Sequence, residues 1–483
     1  MLNPNILPNV AGSQTISGEM SGDAVAELQK ALAAGYGSDV ASLNGGGALR
    51  IQSLEKTMLT TIQENQHFVL FNELAKSNAT ATVDEWTEQN DVGGYLGGST
   101  NTETGNIASA TGNYQRRVGL VKYLMTRREV SFVQTLQNTI ADSEAVEARN
   151  GALQLLTDAE YLCFEGDSTV VPTEYDGIYA QMASLGSVDH IIDAAGGALN
   201  SIDLIDKAAS TIAGFGNFGR PTHLFCSQLV QSDFNTNLDP AFRVSLTGQS
   251  QETQLGAPVK GISTSWGDIK NCPDVFVRDE RQQGVFELTY AAVAAANVAF
   301  KPTIASATPG AGAADAKFAA GHAGNYYYAV AGINAAGQTA VAVSAQVAIA
   351  AGQQVALTIN RSGAATETGY VIYRSRLNGT NALTDLREMC RIPASGGATT
   401  VFTDKNLEIP GGTTAYVLNM TPGQMAITWR QLLPMTKFPL YPTVSAVVPW
   451  AQLLFGYLRI GKRRHHTVIK NIVPTGATWK PFV

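Results

Sequence analysis

Charged side chains are scarce in this sequence, where Asp, Glu, Lys and Arg together make up 15% of the residues and hydrophobic residues make up 45%. A monomeric protein of 483 residues normally carries more Lys and Glu on its surface, so the scarcity indicates surface that other molecules cover. The formal net charge of -7 excludes tight binding of nucleic acid, which requires clustered Lys and Arg. The length indicates about two to four folding units.

Cysteine is also rare. Cys163, Cys226, Cys272 and Cys390 form no C-x-x-C pair and have no His at ligand spacing. We therefore expect reduced, mostly buried thiols and no metal site. The sequence shows no N-terminal leader pattern, and no apolar run reaches the roughly 18 residues that a membrane span requires. These absences predict a protein that is made and assembled in the cytoplasm without contact to a membrane.

The motifs that carry chemistry are missing as well. No P-loop, H-E-x-x-H, G-x-S-x-G or EF-hand spacing occurs. Residues 214–219 match G-x-G-x-x-G but follow a helical pattern, whereas the dinucleotide fingerprint follows a strand. The carboxylate pairs Asp84-Glu85 and Asp279-Glu280 have no His or nucleophile beside them. We expect no catalytic residue, no cofactor and no metal, and therefore no enzymatic activity.

The first third of the chain contains helices that flank a long hairpin. A polar, aperiodic stretch at 1–19 is followed by helical patterns at 23–34 and 49–76. Strand patterns on both sides of a Gly-rich segment at 81–126 predict a hairpin. Such a hairpin contains too few core-forming side chains to be rigid alone, so we expect it to become ordered on another molecule. The longest helical pattern follows, from Arg127 to Phe164.

The remaining segments are mixed or consist of strands. Residues 167–301 combine helical and strand signals, which indicates an α/β unit. Residues 302–408 contain seven Lys or Arg, six Asp or Glu, and several short strand patterns separated by turns. This composition predicts a β-sandwich of about 100 residues. Residues 416–483 return to strands, and we expect them to complete a sheet that begins earlier in the chain.

This order of elements resembles the capsid fold of tailed phages of the Hong Kong ninety-seven type. The resemblance implies an α+β chain with an N-arm, an E-loop, a spine helix, a P-domain, an A-domain and an inserted all-β sandwich. The implied segments are the N-terminal arm and helices at 1–80, the E-loop hairpin at 81–126, the spine helix and first part of the P-domain at 127–200, the first part of the A-domain at 201–301, the sandwich at 302–408, the second part of the A-domain at 409–443 and the second part of the P-domain at 444–483.

The insert carries a resemblance of its own. The runs from Tyr326 to Gly337 and from Gly369 to Ser375, closed by Phe402-Thr403-Asp404, are similar to fibronectin type III or immunoglobulin-like repeats of phage virion proteins. The insert lacks the paired Cys of antibody domains, so packing alone must stabilise it. The resemblance implies a domain that is carried on the outer surface of a shell.

Charged residues in and beside the hairpin are candidate contacts between subunits. The arginines are able to pair with acidic residues in the hairpin of another copy, and separate exposure to solvent is the alternative. The candidates are Arg116, Arg117, Arg127, Arg128, Asp84 and Glu85.

Lys462, Arg463 and Arg464, followed by His465-His466, form the main basic cluster. They are candidates for contact with packaged DNA or with an acidic patch of a neighbouring subunit. The alternative is a solvated hairpin turn, because charge runs usually lie in water.

The resemblances together imply a major capsid protein. Copies would form hexamers and pentamers of an icosahedral head around double-stranded DNA, with weak and non-specific contact to that DNA. Portal, scaffold or decoration proteins are the other implied partners, and the protein would reside in the virion. Two alternatives remain open, namely the shell subunit of an encapsulin-like nanocompartment and a surface adhesin or binding module whose active part is 302–408.

Overall fold

The computed structural model describes residues 67–107, 109–136, 142–237, 259–285, 300–442 and 445–482. These residues combine helices and strands, which confirms the predicted α+β class. The arm at 1–19 and the helical pattern at 23–34 lie outside the described residues. Within the described ranges, no helix has both the length and the apolar character that a membrane crossing requires.

The helices are α1 (Val69–Glu73), α2 (Phe132–Leu136), α3 (Ser143–Glu165), α4 (Ile178–Ala183), α5 (Asp203–Ala213) and α6 (Gln228–Asn237), with 3-10 turns at Val188–His190, Ala320–His322, Leu383–Asp385 and Arg463–His465. The strands are β1 (Ala75–Asn78), β2 (Val83–Asp91), β3 (Asn113–Leu120), β4 (Lys122–Ser131), β5 (Ile191–Asp193), β6 (His223–Cys226), β7 (Gly261–Thr264), β8 (Gly267–Pro273), β9 (Thr303–Ala311), β10 (Gly324–Tyr326), β11 (Tyr328–Asn334), β12 (Gly337–Gln338), β13 (Ala342–Val343), β14 (Val347–Ile349), β15 (Gln353–Asn360), β16 (Gly369–Ser375), β17 (Leu386–Pro393), β18 (Thr399–Asp404), β19 (Thr413–Leu418), β20 (Ile427–Pro439), β21 (Val447–Ile460) and β22 (Thr467–Ile472).

The predicted helix from Arg127 to Phe164 is wrong at its start. Residues up to Ser131 extend β4, which pairs with β21 in antiparallel register over ten residues. The long helix, α3, begins after Asp142, whose carboxylate caps it by accepting a hydrogen bond from the Glu144 amide at 3.0 Å. The long-range ladder to β21 satisfies the backbone of β4 and outweighs the local helical pattern there, while the local cap at Asp142 satisfies a free amide where α3 begins. The pattern at 49–76 is likewise wrong at its end, since β1 begins at Ala75.

A four-stranded sheet in the order β1-β20-β21-β4 packs one face against α3. β1 is parallel to β20, and the other neighbours are antiparallel. The fully buried Trp429 lies in this core, where its ring contacts Phe71 and Tyr175 edge-on at centroid distances of 5.1 and 5.3 Å. α3 adds its apolar face to the same cluster through Leu155 and Phe164. This layer forms the support on which the hairpin rests.

A second sheet has six strands in the order β5-β22-β19-β6-β8-β7, and α5 contributes buried Ile205 and Ile212 to its core. Each of the two predicted C-terminal segments supplies one strand to each sheet. The segment 409–443 contains β19 of the second sheet and β20 of the first, while 444–483 contains β21 of the first and β22 of the second. Between β19 and β22 the chain therefore crosses between the sheets twice.

A buried histidine connects the two crossings, which are the segments 419–426 and 461–466 between the sheets. The Nδ1 atom of His466 accepts a hydrogen bond from the Asn419 amide at 3.2 Å, and its carbonyl oxygen lies 2.9 Å from Nδ1 of His190. Burial lowers the pKa of His466 to about 3, with the neighbouring His465 lowering it further. The ring is therefore neutral, which lets it accept the hydrogen bond from Asn419.

The strands from β9 to β18, Thr303 to Asp404, form a β-sandwich with a core of its own, while the domain borders of 302–408 stay a prediction. One sheet has the order β18-β15-β9, the opposing sheet has the order β12-β11-β16-β17 with β13 also on β11, and β10 pairs with β14. The core contains Tyr326, Tyr328 and Tyr370, all buried. Arg374 is fully buried among them and donates to the Asp404 carboxylate at 2.6 Å. A buried pair of this kind requires both partners.

A charged network fixes the insert to the rest of the chain. The Arg278 guanidinium bonds the Glu388 carboxylate of β17, and Arg391 donates to the same carboxylate at 3.0 Å. Arg391 also bonds the hydroxyl of Tyr161 in α3. Burial by itself would raise the pKa of Glu388, but Arg278 and Arg391 outweigh it and lower the pKa to about 2. Glu388 is therefore charged across the neutral range.

Replacing Asp404 with Asn tests the buried pair of the insert. We expect Asp404→Asn to destabilise the insert by about 3 to 5 kcal/mol, because Arg374 would keep its charge in the core without a carboxylate. Urea unfolding of the full chain, monitored by hydrogen exchange in β16, measures the change. Lys405→Ala is the matched control, since the Lys405–Asp315 pair lies at the surface, where ion pairs contribute little to stability. Equal effects of the two substitutions would contradict the assignment.

The pH dependence of the unfolding free energy tests whether His466 is neutral in the folded chain. Because the pKa of His466 is lower in the folded chain, the unfolded chain binds more protons between the two values, and stability falls as the pH falls below about 6.5. We expect this one ring to cost about 2 kcal/mol between pH 7 and pH 5. His466→Gln should flatten the slope of unfolding free energy against pH in that interval. An unchanged slope would show that the ring is not neutral in the folded chain.

Candidate functional site: the finger and its anchor

The predicted hairpin exists, and we call residues 83–120 the finger. β2 and β3 pair in antiparallel register from Val83 opposite Leu120 to Asp91 opposite Asn113. Successive side chains of a strand point to opposite faces, so the ribbon has an inner face toward the first sheet and an outer face toward solvent. A two-stranded ribbon is at best marginally stable alone. Contacts between the inner face and the rest of the chain must therefore hold the ribbon in place.

Asp84 on the inner face makes the central contact. Arg430 donates to both oxygens of its carboxylate, at 2.8 Å through Nε and 3.0 Å through Nη2. The Tyr457 hydroxyl donates to the same carboxylate at 2.6 Å, and Arg459 lies 3.8 Å away. A two-pronged Arg–carboxylate contact fixes orientation as well as distance. The contact therefore sets the direction in which the finger leaves the sheet.

Glu88 lies four residues after Asp84 on the same face of β2 and makes a similar set of contacts. Its carboxylate accepts from Arg463 at 3.1 Å and from Arg117 of β3 at 3.3 Å. Glu88 and Arg463 are 6% and 5% exposed, so solvent screens this pair little. We define the anchor as Asp84 and Glu88 together with their partners Arg430, Tyr457, Arg459, Arg463 and Arg117.

Gly119 lets the finger approach the sheet closely. An added Cβ at this position would lie 2.3 Å from the Tyr457 ring, well inside van der Waals contact. The ring that donates its hydroxyl to Asp84 thus passes over the backbone of β3. Any larger residue at 119 would separate the hydroxyl of Tyr457 from Asp84.

The anchor shifts the pKa of Asp84. Burial alone would raise this pKa, but hydrogen bonds from Arg430 and Tyr457 outweigh burial and hold it below its ordinary value. A carboxyl with a lowered pKa stabilises the folded state above its unfolded pKa, and the contribution is lost as the pH falls through the folded value. The anchor is therefore intact at neutral pH and weakens in strong acid.

The outer face and the tip of the finger remain uncovered. Val118 and Leu120 are 56% and 52% exposed, and at the tip Tyr95, Leu96 and Ile107 are 80%, 83% and 87% exposed. Isolated exposed apolar residues are ordinary, but a group of them on a projecting segment indicates a contact surface. The finger thus has a fixed base and an unpartnered apolar tip.

The structure places the predicted contact residues in two groups. Asp84 and Arg117 belong to the anchor within one chain. The others form surface pairs of the same chain, namely Arg116 with Glu85 at 3.0 Å, Arg127 with Glu129 at 2.7 Å and Arg128 with Glu147 at 3.3 Å. Because Arg116, Glu85 and Arg127 keep much of their surface exposed, a role for them between subunits stays a prediction.

The basic cluster is divided by its 3-10 turn. Arg463 points into the chain and bonds Glu88 and, at 3.2 Å, Ser184, whereas Lys462 is exposed and Arg464 is partly exposed. Contact of this cluster with DNA or with a neighbour stays a prediction. Sequence reasoning missed Arg430, Tyr457 and Arg459, and it assigned Glu88 to pairing with arginines of another subunit, whereas Glu88 bonds Arg463 and Arg117 of its own chain. The only available signal was the spacing of Asp84 and Glu88, four apart and so on one face of a strand.

Two other buried acids, Glu160 and Asp274, lie beside α1. Glu160 accepts hydrogen bonds from the amides of Leu70 and Phe71 at 2.7 Å each. Its burial, with Asp274 beside it, raises its pKa to about 9. Both carboxyls lie within the core with no exposed surface, so they hold the start of α1 in place and do not face a substrate. Among the described residues, no group of three or more metal-binding side chains occurs.

Comparison with known proteins adds relatives of similar length. The chain is 22% identical over 455 residues to the major capsid protein of Staphylococcus phage K, and the match covers 92% of this chain and 95% of the relative. It is 27% identical over 469 residues to a protein of Enterococcus phage phiEF24C that is provisionally given the same name, covering 92% and 94%. No family model matches the chain.

Solved structures align over most of the chain at low identity. The capsid of the native GTA particle covers 90% of this chain and 99% of its own, with 10% identity and a TM-score of 0.44. The capsid of Myoviridae phage XM1 covers 87% and 96%, with 10% identity and a TM-score of 0.40. The holo-SrpI encapsulin complex from Synechococcus elongatus PCC 7942 covers 92% and 98%, with 9% identity and a TM-score of 0.40.

Neutralising Asp84 tests the anchor. We expect Asp84→Asn to weaken the attachment of the finger by about 3 kcal/mol, because Arg430 and Arg459 would lose their carboxylate. Hydrogen exchange in β2 and β3 should accelerate more than about tenfold, while exchange in β6 stays unchanged. Glu85→Gln is the matched control, since Glu85 lies on the outer face of the same strand in a surface pair. Similar exchange rates in both variants would refute the anchor.

Proposed function

We propose that this chain is the major capsid protein of a tailed phage, a virion shell subunit that assembles with copies of itself. The observation that carries the proposal is the finger, whose base is fixed by ion pairs and whose apolar tip is exposed. In a monomer that apolar tip would stay in contact with water. The similarity to phage major capsid proteins supports it, because it extends over nearly the whole of both chains. Scarce surface charge is consistent with surface that neighbouring subunits cover.

The elements of the proposed capsid fold of the Hong Kong ninety-seven type follow from this assignment. The finger is the E-loop, α3 is the spine helix, the four-stranded sheet with α3 is the P-domain, and the six-stranded sheet is the A-domain. The sandwich is an immunoglobulin-like or fibronectin type III-like insertion on the outer surface of the shell. Its aromatic residues Tyr326, Tyr328, Tyr370 and Tyr373 are buried, which disfavours the alternative of a glycan-binding adhesin.

The proposed partners are other copies of the chain in hexamers and pentamers, together with portal, scaffold or decoration proteins. Contact with the enclosed double-stranded DNA would be weak and non-specific, because the net charge is -7. Lys462 and Arg464 are the proposed points of such contact, and Arg116 and Arg127 are proposed points of contact between subunits. A shell subunit needs no catalytic residue or cofactor.

Expression of the full chain tests the function. We expect sedimentation of large particles with little stable monomer, since obligate assemblies bury more than about 2,000 Å² per interface. Electron microscopy should show closed shells, and DNA inside particles from infected cells would distinguish a phage head from an encapsulin-like compartment with protein cargo. A compact monomer that never assembles would contradict the proposal.

The apolar tip of the finger provides a sharper test. We expect Leu96→Asp combined with Ile107→Asp to abolish closed particles, because two charges would be placed in a surface that must lose its water on assembly. The variant should still fold, since both side chains are more than 80% exposed, and circular dichroism should match that of the unmodified chain.

Val401→Asp is the matched control for the tip variant. Val401 is an exposed apolar residue, 64% exposed, in the edge strand β18 of the insert. Particles of normal size and yield are expected from this variant by analytical ultracentrifugation. Normal particles from the tip variant would remove the finger from the assembly mechanism.

A further inference from the structure

A cavity of about 220 Å³ lies beneath the base of the finger, between β3, β21 and the segment around α4. Its lining contains three cations, Arg117, Lys122 and Arg463, and one acid, Asp176. The volume would hold several water molecules, at about 30 Å³ each, or one carboxylate with its hydration. The cavity is therefore large enough to receive an acidic side chain from outside.

Positive charge is in excess around this cavity. Arg117 and Arg463 share the single carboxylate of Glu88, and Arg430 and Arg459 share that of Asp84. Lys122 donates to the carbonyl oxygen of Pro172 and has no carboxylate partner among the described residues. Five cations thus stand against three acids, the two anchor acids and Asp176, in a chain whose formal net charge is -7.

A carboxylate is the ligand class that fits this lining. The guanidinium groups of Arg117 and Arg463 and the ammonium group of Lys122 are hydrogen-bond donors that cannot accept a hydrogen bond. A carboxylate accepts hydrogen bonds at both oxygens and would supply the missing negative charge.

The tip of the finger carries one carboxylate. Between 92 and 112 the single charged residue is Glu103, which is exposed. Glu103 lies away from the cavity of its own chain, because β2 extends about 17 Å from Trp86, which lines the cavity, to Asp91, and the tip begins beyond Asp91. The tip of another copy is able to present this carboxylate to the cavity.

We propose that Glu103 of one copy binds in the basic cavity at the finger base of the next copy. This rests on the proposed shell function and names the partner of the finger. The contact joins two different surfaces of identical chains, and repetition of such a contact around an axis closes a ring. Arg117, Lys122 and Arg463 receive the carboxylate, while the apolar residues of the tip cover the mouth of the cavity.

Cysteine cross-linking of assembled particles tests this contact. The full chain with Glu103→Cys and Lys122→Cys should give, after mild oxidation, a ladder of linked subunits that ends at the ring size on a non-reducing gel. Glu103→Cys alone and Lys122→Cys combined with Glu129→Cys are the controls, because Glu129 is an exposed acid on β4 away from the tip. Both controls should remain monomeric on the gel.

Charge exchange tests the same contact without cysteine. Glu103→Lys and Lys122→Glu should each lower the yield of closed particles at least about tenfold, the factor that corresponds to about 1.4 kcal/mol, and the double variant should recover the yield. Particles that form normally but give no ladder, or single variants that assemble like the unmodified chain, would overturn the Glu103 contact and leave the shell function standing. Failure of the unmodified chain to assemble would overturn the shell function itself.

Discussion

The contact between Asp84 and Arg430 is the constraint on which the arrangement of the finger depends. A two-stranded ribbon has no core of its own, so it must be fixed from outside. An apolar contact would hold the ribbon without a defined direction, because hydrophobic attraction is non-directional. The paired hydrogen bonds of Arg430, at 2.8 and 3.0 Å, define both distance and orientation. The tip is thereby presented at a fixed angle while its own residues stay uncovered.

The charged side chains of the insert are also held in ion pairs. Every charged side chain between 302 and 408 takes part in an ion pair, and several of these pairs reach the rest of the chain. Lys317 bonds Asp193 at 2.5 Å, and Glu408 accepts from Lys470 at 2.5 Å. Some of these pairs lie in the core or at the base of the insert, such as Arg374 with Asp404, and others lie at its surface, such as Lys405 with Asp315. Because each charge has an opposite partner, the seven basic and six acidic side chains of the insert nearly cancel.

Local patterns predicted the parts of the fold that depend on nearby residues. The short strands between 302 and 408 followed from turn-separated strand patterns, and the finger followed from strand patterns around a Gly-rich segment. The start of α3 did not follow, because the residues up to Ser131 are held as a strand by β21, more than 300 residues later in the chain. The anchor was missed for the same reason, since Asp84 and Arg430 are separated by 346 residues. No local pattern reports a partner at that distance.

Arg463 connects the finger to the segment 461–466, where the chain passes from the first sheet to the second. Arg463 lies in the turn between β21 and β22, where the chain leaves the first sheet for the second. It bonds Glu88 of the finger and Ser184 at the end of α4, while His466, three residues later, bonds the amide of Asn419 in the other crossing. Because packed cores deform little, a rotation of one sheet against the other would act on Arg463 before it acted on either core. The finger and the junction between the two sheets are therefore held by one connected group of polar contacts.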